Sequence, residues 1–548
     1  MCGITVLWGR SITKEMLDAS ILALKARGPD ATHAEIITNS DLDPIGIGFT
    51  RLHIQGTSTD CEQPFYLPDA RFIVCNGEIF NSKLLIESLN LTVPEGASDC
   101  AVIPAMLEKG LSLAEVCRQL DGDFAIVVVD LADATVTVAR DPYGVRPLFF
   151  GHASASGWSA FASEIKAFPT GLEEVQAIEP GTIASIQLNG HLNGHLNGHR
   201  LSEERWHEVP WLKIPQFRYM EVAESALFTS LVDAVGKRLA TVRDIGACLS
   251  GGLDSSLVAA IAAEILSTEG KKLHTYSIGM EGSSDLKHAR QVAEHIGSIH
   301  HECLLNPDEC LAAIPDVIRA IESYDITTVR ASVGNYLLGA FIARETPTVK
   351  VILNGDGADE LLGGYLYMRA APTDAAFETE LDRLLREIHR YDVLRSERSM
   401  AAHGLESRSP FLDRHLIATA RGIPTSLLRP SDSLMEKNIL RSACASSKLL
   451  PDAVLWRRKE AFSDGISPTG RSWFEIVQEQ AEQLLSEGSI STDARYSVNQ
   501  PKTAEAFWYR YLFHLQYPSC ASSLIPAMWM PRFIEGATDP SARTLTLY

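Results

Sequence analysis

The apolar positions in the first part of the chain form short runs separated by turn-forming residues. Residues 124–129 read FAIVVV, which predicts a strand, and residues 135–139 predict a second strand after the turn at Ala132-Asp133. The strand predicted over residues 72–75 runs into Asn76-Gly77, a dipeptide typical of tight turns. Together with a helix predicted around residues 101–109, these runs indicate stacked sheets.

The pattern changes after about residue 215, where helices and short apolar strands alternate. Helices are predicted over residues 223–239, 255–266 and 285–296, and strands over residues 245–249, 273–280 and 349–353. Residues 255–266 (SSLVAAIAAEIL) are apolar nearly all round, which predicts a buried helix. Alternation of this kind is typical of an α/β domain with a mainly parallel sheet, whose ligands bind beyond the carboxyl ends of the strands.

Between these regions, residues 189–199 read NGHLNGHLNGH, a four-residue unit repeated almost three times. The histidines of this repeat, His191, His195 and His199, would share one face of a helix and could form a metal-binding set there. Glycines recurring with the same period disfavour that helix, because a glycine inside a helix costs about 1 kcal/mol relative to alanine. We therefore predict a solvated loop rather than a metal site.

Length and charge narrow the classes of function. The chain has 548 residues, which predicts roughly two to four domains. It carries 49 Lys and Arg against 69 Asp and Glu, a net charge of −20. We therefore expect no binding to nucleic acid or to anionic membranes, which use clustered cations. Small-molecule chemistry is the better expectation.

Cysteine usage and the first residues predict a cytoplasmic protein. The ten cysteines are dispersed and form no CxxC pair, which predicts reduced thiols rather than a disulfide scaffold. The first residues lack the basic and long apolar segments of a signal peptide. No apolar run approaches the length of about 20 residues that spans a bilayer.

The most specific local motif is SGGLDSS at residues 250–256, between a predicted strand and a predicted helix. Gly251 and Gly252 allow a tight turn and a close approach to a ligand. The following helix offers free N–H groups, and serine hydroxyls add donors at Ser250, Ser255 and Ser256. This combination suits a phosphate group. For SGG alone, a glycine-rich turn with a serine N-cap is the simple alternative.

Two features of this loop refine the expectation. Asp254 has no cationic neighbour in the sequence, so it fits beside phosphates only with Mg²⁺ between them. The loop lacks the lysine of the GxxxxGK[ST] motif. It resembles the pyrophosphate-binding loop of enzymes that form an acyl-adenylate from ATP.

A second loop, residues 354–360 (NGDGADE), follows the strand predicted over residues 349–353. Its carboxylates belong to Asp356, Asp359 and Glu360. These side chains either complete a metal or substrate site or form a solvated acidic turn.

Cys2 lies directly after the initiator methionine and before Gly3. We expect Met1 to be removed because the next side chain is small, which makes Cys2 the N-terminal residue. An α-amine and a thiol have ordinary pKa values within about one unit of each other. The amine can then accept the thiol proton, so that one residue supplies both nucleophile and base.

Taken together, these motifs resemble the glutamine-dependent asparagine synthetase family over nearly the full chain. In the first half the likeness rests on residues 2–4 (CGI), 27–30 (RGPD), 51–52 (RL), 76–79 (NGEI), 98–100 (SDC) and 140–142 (RDP). It implies a two-domain chain of α/β and α+β class, in which residues 2–205 form an Ntn-hydrolase-type αββα sandwich that hydrolyses glutamine.

The resemblance also implies roles for residues of the first half. The thiolate of Cys2 attacks the glutamine amide, and Asn76 and the Gly77 N–H form the oxyanion hole. Arg51 holds the glutamine carboxylate and Asp99 its α-amino group. The implied glutamine-binding set is Arg51, Leu52, His53, Ile54, Gln55, Asn76, Gly77, Glu78 and Asp99.

In the second half the likeness rests on residues 250–256, 324–332 (YDITTVRAS), 354–365, 406–413 (ESRSPFLD) and 456–465 (WRRKEAFSDG). It implies a synthetase domain over residues 206–548, an α/β domain with a mainly parallel sheet and a pyrophosphate-binding loop. The implied ATP-binding set is Leu249, Ser250, Gly251, Gly252, Asp254, Ser255, Ser256, Ile278, Asn354 and Gly355. Further implied contacts are Mg²⁺ at Asp254 and Asp359, aspartate or its adenylate at Thr328 and Arg330, and the α-phosphate at Lys459.

The reaction implied by the resemblance converts aspartate, glutamine and ATP into asparagine, glutamate, AMP and pyrophosphate. Ammonia released at Cys2 would pass inside the protein to β-aspartyl-AMP. The sequence leaves open whether the protein forms a homodimer.

Three positions depart from the family pattern. Asp356 replaces a catalytic glutamate of the family, Ala370 (next to Arg369) replaces a lysine, and Ala101 replaces an acidic residue that is dispensable if Asp99 is the amino-group ligand. The first two departures leave the turnover rate and the acceptor open.

Two alternatives to asparagine synthesis are considered. A relative that amidates or cyclises another carboxylate is one alternative. Cys2, Arg51 and Asn76 disfavour cyclisation, which needs no ammonia. A catalytically weak regulatory protein is the other, and the retention of both sets of site residues disfavours it.

Overall fold

The computed structural model describes residues 1–56, 62–188, 201–208, 216–431, 434–459, 465–467, 470–493, 496–518, 524–536 and 539–540. The chain forms two compact units, Met1–Val209 with His403–Leu405, and Pro210–Ala402 with Glu406–Tyr548. The repeat at residues 189–199 lies outside the described residues, so the loop expected there is not tested. The domain boundary expected between residues 205 and 206 stays a prediction.

The first unit contains two antiparallel sheets. Its described strands are β1 (Gly3–Trp8), β2 (Ala31–Asn39), β3 (Leu42–Arg51), β4 (Phe65–Tyr66), β5 (Arg71–Ile79), β6 (Gly122–Asp130), β7 (Thr135–Arg140), β8 (Phe149–Ala153), β9 (Trp158–Ala162), β10 (Glu174–Ala177), β11 (Thr182–Gln187) and β12 (Ser202–Arg205). One sheet has the order β10-β8-β9-β1-β3-β2 and the other β12-β11-β7-β6-β5-β4.

Helices cover the outer face of each sheet. Successive side chains of a strand point alternately to the other sheet and to these helices. The described helices are α1 (Lys14–Leu24), α2 (Ser82–Ser88), α3 (Val102–Glu108) and α4 (Leu113–Gln119). In β6, Ala125 and Val127 pack in the core between the two sheets, whereas Ile126 and Val128 pack with the helices. Both faces of the strand are buried, so its residues 124–129 are all apolar. The expected αββα sandwich is confirmed.

The turn expected at Asn76-Gly77 is wrong. Strand β5 continues through both residues, which pair with Ala125 and Phe124 of β6. Every residue from Arg71 to Ile79 has a partner in β6, and this pairing outweighs the local turn preference. A Cβ atom at Gly77 would lie 3.0 Å from the Asp123 carbonyl oxygen, so glycine marks a close approach of two chains here.

A parallel sheet forms the centre of the second unit, as expected. Its described strands are β13 (Asp244–Cys248), β14 (His274–Gly279), β15 (Ile299–Leu304), β16 (Val349–Leu353) and β17 (Glu406–Arg408). Their order is β15-β14-β13-β16-β17, and all four pairings are parallel.

Helices surround this sheet. In the described residues they are α5 (Met220–Lys237), α6 (Leu253–Thr268), α7 (Ser284–Ile296), α8 (Pro307–Ile321), α9 (Ile326–Glu345), α10 (Ala358–Leu362), α11 (Asp374–Glu387), α12 (Asp392–Ala401), α13 (Arg414–Arg421), α14 (Thr425–Leu428), α15 (Asn438–Ala445), α16 (Asp452–Leu455), α17 (Trp473–Ser486) and α18 (Ala504–Gln516). Short 3₁₀ helices lie in the first unit at Asp99–Ala101 and Ile165–Ala167, and in the second unit at Leu366–Ala370, Ile388–Arg390 and Pro410–Leu412.

Helix α6 begins at Leu253, two residues before its expected start at Ser255. The first turn of this helix therefore includes Asp254. None of the described helices combines the length and apolar character needed to cross a bilayer.

Candidate functional site

The start of strand β1 places Cys2 beside Asn76 of strand β5. The Cys2 N–H donates to Oδ1 of Asn76 at 3.0 Å, so Nδ2 of the same amide is a donor that points elsewhere. Nδ2 is buried and has no hydrogen-bond partner among the described residues. A buried donor without a partner is costly. The arrangement therefore suits an oxyanion formed next to the Cys2 thiol.

A buried arginine holds the backbone of Cys2. Arg27 donates from Nε to the Cys2 carbonyl at 2.9 Å and from Nη1 to Glu164 at 2.6 Å. The following residue, Gly28, lies so close to Thr50 that a Cβ atom there would come within 2.3 Å of the Thr50 carbonyl carbon. A side chain at Gly28 would separate this segment from the end of β3, so the RG pair keeps the two adjacent.

Arg51, the last residue of β3, lies at the expected glutamine site. Its side chain is buried and donates to the carbonyl oxygens of Gln55, at 3.4 Å, and of Gly56. The Gln55 side-chain amide donates to the Glu78 carboxylate. These contacts link the segment after β3 to the end of β5.

The other expected glutamine ligands lie in the segment after β3 or, in the case of Asp99, contact the end of β5. Leu52 and Ile54 are buried, and the His53 N–H donates to Asp30 at 2.8 Å. Asp99 is 8% exposed, and its Oδ2 accepts from the Ile79 N–H at 2.5 Å.

In the second unit, a cleft of about 900 Å³, including its open mouth, lies at the carboxyl ends of β13, β14 and β16. Most of the expected ATP-binding residues line it: Leu249, Ser250, Asp254, Ser255, Ile278, Asn354 and Gly355. Gly252 lines an adjoining cleft. Gly251 and Ser256 line neither of these two clefts.

The local structure explains why Gly251 and Ser256 line neither cleft. Gly251 has a φ of +70°, and a Cβ atom there would come within 2.5 Å of the His288 side chain. Only glycine makes this turn without strain. Ser256 is fully buried in helix α6, and its hydroxyl has no hydrogen-bond partner among the described residues, so its contact with ATP stays a prediction.

The loop after β16 packs directly on the SGGLDSS loop. A Cβ atom at Gly355 would lie 2.8 Å from the backbone nitrogen of Ser255. Asn354 donates to the Ser407 hydroxyl at 2.7 Å and accepts from the Ser409 hydroxyl at 2.8 Å. Oδ1 of Asn354 also accepts from the Asp356 N–H at 3.1 Å, which fixes the turn.

The two expected Mg²⁺ ligands share one lysine. Lys437 Nζ lies 2.5 Å from Oδ2 of Asp254 and 2.6 Å from Oδ1 of Asp359. Asp254 therefore has a cationic neighbour, which the sequence did not indicate. Lys459 contacts the other oxygen of Asp359. Burial disfavours the charged carboxylate, but the ammonium groups of Lys437 and Lys459 lower the pKa of Asp359 below its ordinary value.

Asp356 has different surroundings. Burial raises the pKa of Asp356, and the guanidinium of Arg395 opposes this shift. Arg395 Nη2 donates to Asp356 at 3.3 Å and to Asp392 at 2.7 Å. Nearby, Tyr365 donates to Glu360 at 2.6 Å, and burial raises the pKa of that glutamate. The site thus keeps a charged carboxylate, Asp359, beside carboxylates that bind protons more readily.

The adjoining cleft is strongly basic. It shares Ser250, Asp254 and Ser255 with the first cleft, and its cations are Lys437, Arg441, Arg457, Arg458 and Lys459. Arg457 also donates to the Gly251 carbonyl at 3.0 Å, which ties the cleft to the loop. Cations beside a helix N-terminus suit a polyphosphate.

Both halves of the chain match known protein families. The model of the asparagine synthase family matches residues 226–381 and 369–522, and the model of the glutamine amidotransferase domain matches residues 1–193. Asparagine synthetase (glutamine-hydrolyzing) of Bos taurus is 39% identical over 575 residues, which cover 100% of this chain and 99% of that protein. The Homo sapiens protein of that name is 39% identical over 571 residues, with the same coverage of each chain. The Gallus gallus protein is 38% identical over 572 residues, again with that coverage.

The chain belongs to the asparagine synthetase family. This confirms the resemblance seen in the sequence and the expected fold class, with an Ntn-type amidotransferase domain and an α/β synthetase domain. Members of this family are ligases, and ATP use is implied by the synthetase domain.

Neither of the two residues expected to bind aspartate lines the cleft of this asparagine synthetase family member. Thr328 and Arg330 are near the start of α9, whereas Asn335 and Leu338 of the same helix line the cleft. Thr328 donates from its hydroxyl to Asp325, the helix N-cap, at 2.8 Å. Its contact with aspartate stays a prediction.

Arg330 is held by carboxylates of the chain itself. Its guanidinium donates to Glu505 at 2.6 Å and to Asp539 at 3.3 Å, and these two negative charges raise its pKa in spite of burial. The structure thus gives Arg330 a packing role, and a direct contact with aspartate stays a prediction.

We expect Arg330→Met to lower the free energy of unfolding by about 3–5 kcal/mol, because Glu505 would remain buried without its cation. Urea denaturation followed by tryptophan fluorescence measures this change. The matched control is Arg344→Met on the same helix, whose pair with Glu345 is exposed and is expected to contribute less than about 1 kcal/mol. Unchanged stability with lost synthesis would instead assign Arg330 to the substrate.

Several cleft residues were missed by the sequence analysis. Lys437, Asp392 and Arg395 lie outside the segments singled out there. They are ordinary charged residues in a helix or beside one, with no glycine or motif near them. Tyr365 falls at the end of a matching segment but was given no role. Long-range contacts bring all four side chains to the cleft.

Proposed function

We propose that this protein is a ligase that makes asparagine from aspartate, glutamine and ATP through β-aspartyl-AMP. One observation carries the proposal: a single chain of this family holds both a thiol beside an unpartnered buried amide donor and a basic cleft at an SGGLDSS loop. The first arrangement suits amide hydrolysis and the second suits adenylation. Ammonia from the first reaction would be the nucleophile of the second.

In the glutaminase reaction, Cys2 would attack the side-chain amide of glutamine. Removal of Met1 would turn the Cys2 N–H that donates to Asn76 into an amine able to accept the thiol proton. Nδ2 of Asn76 and the Gly77 N–H would stabilise the oxyanion. Arg51 would exchange its carbonyl acceptors for the carboxylate of glutamine, and Asp99 would hold the α-amino group.

The remaining members of the glutamine set would shape this pocket. Leu52 and Ile54 are buried and anchor the segment after β3. His53 fixes that segment through its N–H, and Gln55 and Glu78 close it through their mutual contact.

In the synthetase reaction, ATP would bind with its base near Ile278 and its phosphates along the loop at residues 250–256. Lys459 lines the basic cleft, from which it would stabilise charge developing on the α-phosphate. Aspartate would bind deeper, where Asn335, Asp356 and Arg395 line the cleft. Thr328 and Arg330 lie near the start of the helix that carries Asn335, and their contact with aspartate or its adenylate stays a prediction.

The residues present fit a bound Mg²⁺ ion. Asp254 and Asp359 supply oxygen ligands of the kind that Mg²⁺ prefers. Oδ1 of Asp254 is buried and has no hydrogen-bond partner among the described residues. When bound, the ion would neutralise charge on the pyrophosphate leaving group.

A second candidate is amidation of a different carboxylate. Asp356 and Ala370 differ from the family pattern in the region of the acceptor, and this observation keeps the alternative open. A longer acceptor would fit the space left by a side chain that is one methylene shorter than glutamate.

Glutamine-dependent pyrophosphate release, measured with and without aspartate, tests the proposal. We expect release to require aspartate and to match asparagine formation. Release that needs another carboxylic acid would favour the second candidate. No release with any acceptor, from a protein that still binds ATP, would contradict both.

We expect Asp254→Asn to reduce adenylate formation sharply and to leave glutamine hydrolysis roughly intact. The amide cannot hold Mg²⁺ as a carboxylate does. Pyrophosphate release and glutamate release are measured separately. Equal loss of both activities would indicate a folding defect and would contradict a local role for Asp254.

The described cysteines support a reducing, cytoplasmic location. The eight cysteines that the structure describes form no disulfide, which would suit a reducing compartment. A homodimer stays a prediction.

A further inference from the structure

Lys437 connects the two carboxylates to which we assign the metal. Its ammonium lies 2.5 Å from Asp254 and 2.6 Å from Asp359, and its side chain is only 2% exposed. Lys459 contacts the second oxygen of Asp359 but is more accessible, at 17% exposed. A single buried positive charge is thus shared between two carboxylates that come from the first turns of different helices, α6 and α10.

The backbone holds Lys437 in this place. Its φ is +54°, in the left-handed region, directly before helix α15. Non-glycine residues seldom adopt this conformation unless the surrounding structure enforces it, and such residues cluster at functional sites. A Cβ atom at Gly364 would come within 1.9 Å of Asp359 Oδ1 and 2.6 Å of Lys437 Cε, so the chain packs tightly around the pair.

A divalent cation and this ammonium would compete for the same two carboxylates, those of Asp254 and Asp359. Mg²⁺ gives up its water shell reluctantly. A lysine displaced by the ion would remain buried without a counter-ion, which is unfavourable. Phosphate oxygens would change this balance, because they offer the ammonium new acceptors in the adjoining basic cleft, which Lys437 also lines.

We propose that Lys437 makes metal binding depend on the nucleotide. In the nucleotide-free protein, Lys437 neutralises Asp254 and Asp359 and excludes a free divalent cation. When the triphosphate enters, the ammonium turns to a phosphate and the carboxylates become available to the metal. This inference rests on the proposed function, since it deepens the role of the same site.

The test uses Mn²⁺ as the probe, added to the full-length protein without nucleotide and followed by electron paramagnetic resonance. We expect Lys437→Met to bind Mn²⁺ about tenfold or more tightly than the wild type. The added change Asp359→Asn should remove this site. Lys237→Met is the matched control, since Lys237 lies 2.6 Å from another buried carboxylate, that of Asp413, and should leave Mn²⁺ binding unchanged.

Lys437→Gln provides a second neutral variant, and circular dichroism confirms folding of both. Wild-type protein that binds Mn²⁺ as tightly as Lys437→Met, at a site lost in Asp359→Asn, would overturn the inference. Folded Lys437 variants that gain no site would also overturn it. Asparagine formation by the wild type with MgATP is measured separately, so failure of the proposed function is distinguishable from failure of this inference.

Discussion

Cys2→Ala should abolish glutamine-dependent asparagine synthesis while added ammonia still supports it. The thiol is the only group beside the Asn76 amide to which we assign nucleophilic attack, and loss of a nucleophile costs on the order of 10³-fold or more. The synthetase cleft is built from other residues, those of the loops after β13 and β16. Adenylation should therefore continue. Asparagine is measured with glutamine and with ammonium chloride as the nitrogen source.

Cys117→Ala is the matched control for this experiment. Cys117 is a buried thiol of the same unit that packs in the helical layer on the outer face of a sheet. Its loss should leave both nitrogen sources usable. If Cys2→Ala used glutamine as well as the wild type, the glutaminase assignment would be wrong.

Asp356→Ala should lower ammonia-dependent synthesis by about 10²–10⁴-fold, the usual contribution of a general acid or base. Asp356 lies in the cleft in contact with Arg395, and burial raises its pKa. A carboxylate there could either support adenylate formation or take a proton from the attacking ammonia. Synthesis is measured with saturating ammonia, MgATP and aspartate.

Two further variants separate charge from length. Asp356→Glu should stay active, because it restores the side chain that the family uses. Asp356→Asn keeps the shape but not the charge, and it should resemble alanine. Glutamate release should survive all three changes, which controls for folding, since Arg395 retains its pair with Asp392. If Asp356→Ala made asparagine almost as fast as the wild type, the role would belong to Asp359 or Glu360 instead.

The sequence by itself determined several of the elements and the place of the SGGLDSS motif. Strand β16 has the bounds expected from its apolar run, Val349–Leu353. The SGGLDSS motif connects β13 to α6 as expected, with residues 250–252 in the turn and residues 253–256 at the start of the helix. These features are local, because a short apolar run or a glycine pair acts through its own backbone. The motifs also sufficed to indicate the family.

Tertiary structure decided what each side chain meets. The Asn76-Gly77 pair reads as a turn, but pairing with β6 keeps it extended. Arg330 lies within a motif, but Glu505, 175 residues later, binds its guanidinium. Neither outcome follows from local preference, because the partner comes from a distant element.

The carboxylates of the cleft also separate what local sequence predicts from what only the folded chain decides. The sequence indicated Asp254 and Asp359 as charged residues next to a phosphate loop. Their shared partner Lys437 is 183 positions from Asp254, in a stretch without any motif. Coulomb interactions act through space rather than along the chain, and they are strong only where burial excludes water. Local sequence therefore predicted where a phosphate would bind, whereas only the folded chain decided which charges meet there.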